Sequence, residues 1–149
     1  MPRLHEDRRL AARTVAAEEL PALASELAAR FPEVEAVWLF GSYAHGRNRP
    51  TSDVDLAIHT SRARAGDLAH RYDLQEAAEQ RLGVPVDVVL LGPEQPLPLL
   101  WEILRKPVLL FARDPADAAA LASTLRSMIR DEWPRLERRW QRTREWAKE

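Results

Sequence analysis

The chain has 149 residues, with 22 Lys and Arg against 23 Asp and Glu and a formal net charge of −1. That length suits one compact domain with its own core, and the near-zero charge gives no general attraction to a polyanion such as bulk RNA or DNA. The absence of cysteine excludes disulfides and thiolate chemistry. No apolar run approaches the roughly 18–20 residues of a membrane span, and the Arg-rich start (Arg3, Arg8, Arg9) lacks the form of a signal segment, so a soluble cytoplasmic protein is expected.

Met1 to Ala17 is arginine-rich and shows no clear pattern. From about Glu18 to Phe31, Leu20, Leu23, Leu27 and Phe31 fall on one helical face, with Pro21 near the first turn and Pro32 ending the element. Val34 to Phe40 reads as a buried strand stopped by Gly41, and Ser42 to His45 as the start of a short helix that Gly46 ends. Arg47 to Ser52 is a polar turn around Pro50. Asp53 to His59 alternates as a second strand, with Val54, Leu56 and Ile58 on one face. Gly66 to Leu82 reads as a helix carrying Leu68, Tyr72, Gln75/Glu76 and Glu79, closed by Gly83. Val84 to Leu91 is a third strand, Leu97 to Arg105 a short helix and Val108 to Phe111 a fourth strand. After Asp114-Pro115 the pattern is helical to the end, with a break expected at Pro134.

The fold class this predicts is α+β, a small mixed sheet flanked by helices. One domain is expected over residues 1–149, with a core at about 34–111 and C-terminal helices at about 115–147.

Three aspartates and a Gly-Ser turn carry the chemistry. Asp53 and Asp55 are spaced i, i+2 on a predicted strand, so both point to one face. Two carboxylates converging there repel by about 1–4 kcal/mol at 4 Å, and a divalent cation reverses that sign. Magnesium is the natural choice, because it takes hard oxygen ligands from one or two carboxylates plus substrate phosphates. Asp87 interrupts the apolar run Val84 to Leu91, where an ionised side chain is costly unless paired or metal-bound. A neighbouring strand would bring it into the same cluster, where two bridged ions could clamp an in-line phosphoryl displacement. Asp87 is also the best-placed general base for an acceptor hydroxyl. Gly41 lets the backbone approach a phosphate, and Ser42 with the following amides supplies donors. Arg47 and Arg49 stand in the intervening loop, where they could neutralise leaving pyrophosphate.

Other residues read more plainly. His5, His45, His59 and His70 have no metal-ligand spacing. Arg135 to Arg144 reads as a solvated helix face diluted by Glu137 and Glu145. Trp133, Leu136 and Trp140 share a helical face expected to dock on the core. Trp146 lies off that stripe and suits a protein interface.

Gly41-Ser42, ten residues and Asp53-Val54-Asp55, followed by Asp87, resemble the signature of the polymerase-β-like nucleotidyltransferases. The size of the chain, with almost nothing outside the core, resembles the minimal nucleotidyltransferase (MNT-type) antitoxins of HEPN/MNT toxin–antitoxin pairs. The resemblance implies Asp53, Asp55 and Asp87 as catalytic residues and Mg2+ ligands for two ions, with ATP held by Gly41, Ser42, Asp53 and Asp55. It implies transfer of AMP from ATP to a tyrosine of a cognate HEPN-type ribonuclease toxin, in a hetero-oligomer. The short flanks leave no room for a domain that holds tRNA or a primer–template duplex, so no stable nucleic-acid partner is expected. Two alternatives stay open: neutralisation of the toxin by binding alone, and nucleotidyl transfer to a small hydroxylated molecule such as an aminoglycoside.

Overall fold

The computed structural model describes residues 13–61 and 67–148, with side-chain surroundings described up to residue 144. The elements in chain order are α1 (Glu19–Arg30), β1 (Val34–Phe40), α2 (Gly41–Ala44), β2 (Val54–Thr60), α3 (Leu68–Leu82), β3 (Val86–Leu90), α4 (Leu97–Leu104), β4 (Val108–Ala112) and α5 (Pro115–Lys148). The four strands form one sheet in the order β3-β2-β1-β4. β1 runs antiparallel to β2 and β4, while β2 and β3 are parallel. The sheet is therefore mixed, and the expected α+β class is the observed one.

Side-chain alternation sorts the core into two layers. Val37, Leu39, Val54, Leu56, Ile58, Val88 and Leu90 face α1 and α3, where Leu23, Leu27, Leu74 and Leu82 close the first cluster. Trp38, Phe40, Ala57, Val89 and Leu91 face the other way, onto Leu100 and Ile103 of α4 and Ala118, Ala122 and Leu125 of α5. Helix-spaced leucines in α1 and period-two valines in the strands produce this sandwich directly. Arg113 pins it at one end, its guanidinium donating to the carbonyls of Ala28 and Val34. Arg13 does the same elsewhere, pairing with Glu19 and donating to the carbonyl of Leu82.

Two expectations are corrected: α5 does not break at Pro134, and Trp140 of its expected docking face is exposed. On α3, Leu68 and Tyr72 are exposed, while Leu74, Ala77, Ala78 and Leu82 form the buried face. Gln75 and Glu79 are buried with them because the outer edge of β3 needs acceptors. Glu79 takes the Val86 amide at 3.1 Å and Gln75 takes the Val88 amide at 3.2 Å. The helix α5 instead continues through Pro134. That stretch is exposed, so water can take the carbonyl that the proline leaves unbonded. The expectation for Trp146 falls outside the described side chains.

Candidate active site

The end of β1 and the starts of β2 and β3 meet at one edge of the molecule. The Val54 amide donates to the Pro85 carbonyl at 3.1 Å, which aligns the two parallel strands at their first residues. Asp55 then stands directly beside Asp87 in register. On its other side Asp55 is paired with Phe40, the last residue of β1. Alternation puts Asp55 and Asp87 on the α4 face with Ala57 and Val89.

Adjacent strands lie about 4.8 Å apart, so the two carboxylates are neighbours in a half-buried place. Burial pushes the Asp55 carboxyl up to about 6, and the charges of Asp87, Asp53 and Glu102 add to it. Among the described residues no ion pair joins Asp53, Asp55 or Asp87 to a cation. The site concentrates negative charge that nothing in the described protein neutralises.

Gly41 begins α2 with φ +73°, the left-handed region that favours glycine. A Cβ built there would collide with Oδ2 of Asp55 and lie 3.1 Å from its Cγ. The glycine is thus required twice, once for the turn and once for the space the carboxylate occupies. Ser42 follows on the same short turn, where its carbonyl accepts from the Arg47 amide at 2.9 Å. The loop closes through a reciprocal pair: the Arg49 amide donates to Ser52 Oγ at 2.8 Å, and the Ser52 amide to the Arg49 carbonyl at 2.9 Å. That turn delivers the chain into Asp53, which is exposed one residue before β2 begins.

The five residues named from the sequence therefore gather, with one difference. Asp53 precedes the strand instead of lying in it, which leaves its carboxylate freer than that of Asp55. Among the described residues no group of three or more His, Cys, Asp or Glu side chains already stands in a metal-holding arrangement. The carboxylates nevertheless suit a magnesium ion, which completes its shell with phosphate and water oxygens. The uncompensated charge at Asp55 is the structural sign of that fit. Arg47 and Arg49 are both exposed in the loop.

Glu102, Arg105 and Trp101 at the rim were not singled out by sequence reasoning. Glu102 belongs to the otherwise apolar helix Leu-Pro-Leu-Leu-Trp-Glu-Ile-Leu, and its charge reaches Asp55. A lone carboxylate in an apolar run is the signal that marked Asp87, and it was available here too. Arg105 approaches His45 Nδ1 at 3.4 Å and Glu102 at 3.8 Å. Its guanidinium also lies 5.0 Å from the ring centre of Trp101. His45 Nε2 is buried and without a hydrogen-bond partner among the described residues. Two shallow grooves of about 300 Å³ each lie on the opposite face, between α1 and α3, away from the carboxylates.

Comparison with known proteins agrees with this geometry. The model of the family described as polymerase beta, nucleotidyltransferase, matches residues 24–116. No curated protein matches the chain. A crystal structure of a toxin–antitoxin with AMP-PNP superposes with a TM-score of 0.68 at 22% identity, covering 87% of this chain and 98% of that one. The MntA–HepT toxin–antitoxin gives 0.64 at 19% identity, over 89% and 99%. The structure of a tri-AMPylated Shewanella oneidensis HEPN toxin in complex with MNT antitoxin gives 0.60 at 20% identity, over 89% and 95%. At these identities the likeness is one of fold.

Proposed function

Because the chain belongs to the polymerase-β nucleotidyltransferase family, we propose that it is an antitoxin that transfers AMP from ATP to a tyrosine of a HEPN-type ribonuclease toxin. The observation that carries the chemistry is the register pairing of Asp55 with Asp87 under the Gly41 turn. Paired carboxylates beside a glycine that lets phosphate approach are the parts nucleotidyl transfer needs. Support for the recipient comes from solved structures of similar fold, described as a toxin–antitoxin with AMP-PNP and a tri-AMPylated HEPN toxin with its MNT antitoxin.

In this reading Gly41 and Ser42 hold the triphosphate through backbone amides and the serine hydroxyl. Asp53, Asp55 and Asp87 would hold magnesium, which supplies positive charge against the phosphate oxygens. The tyrosine oxygen attacks the α-phosphorus, the bond to the leaving pyrophosphate breaks with its electron pair, and the phenolic proton passes to Asp87. Protein surroundings of Asp55 and Asp87 exclude part of the solvent, which strengthens these interactions.

The test is the double variant Asp53→Asn, Asp55→Asn beside wild type, each co-expressed with the product of the adjacent reading frame. Intact mass of that protein should rise by one or more AMP masses with wild type and stay unchanged with the variant. Growth protection by a variant that transfers nothing would replace this reading with neutralisation by binding alone.

A further inference from the structure

The helix α5 spans 34 residues, about 50 Å at 1.5 Å per residue, but its contribution to the core ends early. Its last fully buried side chain is Leu125, and from Arg130 to Arg144 only Trp133 and Leu136 are even partly buried. The helix also runs through Pro134, which costs about 3 kcal/mol in a helix interior. In this outer half no core burial offsets that cost. A continuous helix here needs another source of stability.

That outer half carries a ladder of indoles. Trp101 of α4 lies 6.0 Å from Trp133, and Trp133 lies 6.0 Å from Trp140 at a near-perpendicular 79°. The two ends of the ladder, Trp101 and Trp140, are 40% and 41% exposed. The inner end adjoins the candidate site, since Trp101 stacks under Arg105, which approaches His45 at the end of the Gly41–Ala44 turn.

We infer that the Trp101–Trp133–Trp140 ladder, with the arginines of outer α5, is the surface on which the protein acceptor docks to reach the carboxylates. The inference rests on the proposed reading that the acceptor is a protein. Its occupant is an acidic protein surface. Residues 130–144 hold six arginines, no lysine and three acids, in a chain whose net charge is −1, so the positive charge is local. Arginine and tryptophan with few lysines is the composition of protein interfaces, where such residues anchor binding. A nucleic acid is disfavoured by Asp131, Glu132 and Glu137 on the same stretch and by indoles already engaged with one another. Docking there would bury the ladder and stabilise the helix across Pro134. It would also set an acceptor side chain beside Asp55 and Asp87.

Trp140→Ala and Arg139→Glu test this, both lying clear of the core and of the carboxylates. The probe is the purified product of the adjacent reading frame, the protein used in the co-expression test. Each variant should weaken its binding and raise the KM for it as acceptor by at least about tenfold, with kcat and nucleotide affinity unchanged. Wild-type partner affinity in both variants would overturn the inference. So would a change confined to the self-association of this chain, or one confined to binding of an RNA oligomer. The double variant Asp53→Asn, Asp55→Asn separates the two claims. It should keep wild-type partner affinity while losing transfer, so the docking surface and the chemistry fail independently.

Discussion

Asp55→Asn should make the protein more stable while removing its activity, and the gain should depend on pH in a fixed direction. The Asp55 carboxyl sits at about 6 in the folded protein against an ordinary 3.8, raised by burial and by Asp87, Asp53 and Glu102. Below pH 3.8 it is protonated in both folded and unfolded chains and imposes no penalty. As pH rises from there, the unfolded chain releases the proton first and stability falls, until above about 6 the whole penalty is present. Each tenfold change in proton affinity is about 1.4 kcal/mol, so the full shift amounts to roughly 3 kcal/mol. Asp55 is only half-buried, and solvent screening reduces the effect to about 1 kcal/mol. For a chain of this length that is a rise in Tm of about 3 °C. Thermal unfolding of wild type and Asp55→Asn in chelator, from pH 4 to 8, measures it. The difference should be near zero at pH 4 and level above about pH 6.5. Equal or lower stability of the variant at pH 7.5, or a gain that ignores pH, refutes the electrostatic reasoning. Added Mg2+ and ATP should raise the Tm of wild type and leave that of the variant nearly unchanged.

Gly41→Ala forces a left-handed alanine, at about 1–2 kcal/mol, and drives its methyl into Asp55. Transfer should fall by about 100-fold, the usual consequence of displacing a reacting group by an ångström. Steady-state transfer to the partner reads this, and activity within threefold of wild type contradicts the packing described. Arg113→Met removes the donors to the Ala28 and Val34 carbonyls, so chemical denaturation should show a loss of about 2 kcal/mol with no change in nucleotide affinity. Tyr43→Phe removes the acceptor of the Val15 amide and should cost about 1 kcal/mol by the same measurement.

Much of the site was legible because its signals are local. Val34 to Phe40 reads as a strand from apolar content alone, and Gly41 stops it where the structure does. Asp87 stands out because its neighbours are apolar, and the register then sets it beside Asp55. What was not legible depends on tertiary partners. Gln75 and Glu79 have no apolar reason to be buried, and only the unpaired amides of β3 supply one. Leu68 and Tyr72 fit a helical stripe that the core does not meet. Pro134 carries a local breaking signal, overridden in an exposed helix whose remaining ladder stays intact. Arg105 reaches His45 across 60 residues of sequence, a contact with no trace in spacing.

The two borders of the sheet are unlike in a way that limits how copies of the molecule can join. Along β3 the side chains of α3 already hold the outward amides of Val86 and Val88. Along β4 no described strand lies outside, and Val108 and Leu109 are open to solvent. Growth of a fibre by strand addition needs a free border on each side of every subunit. Here one side is closed to a newcomer, so strand pairing through β4 ends at two copies. Two polar side chains of one helix, Gln75 and Glu79, thereby act as a terminator against polymerisation.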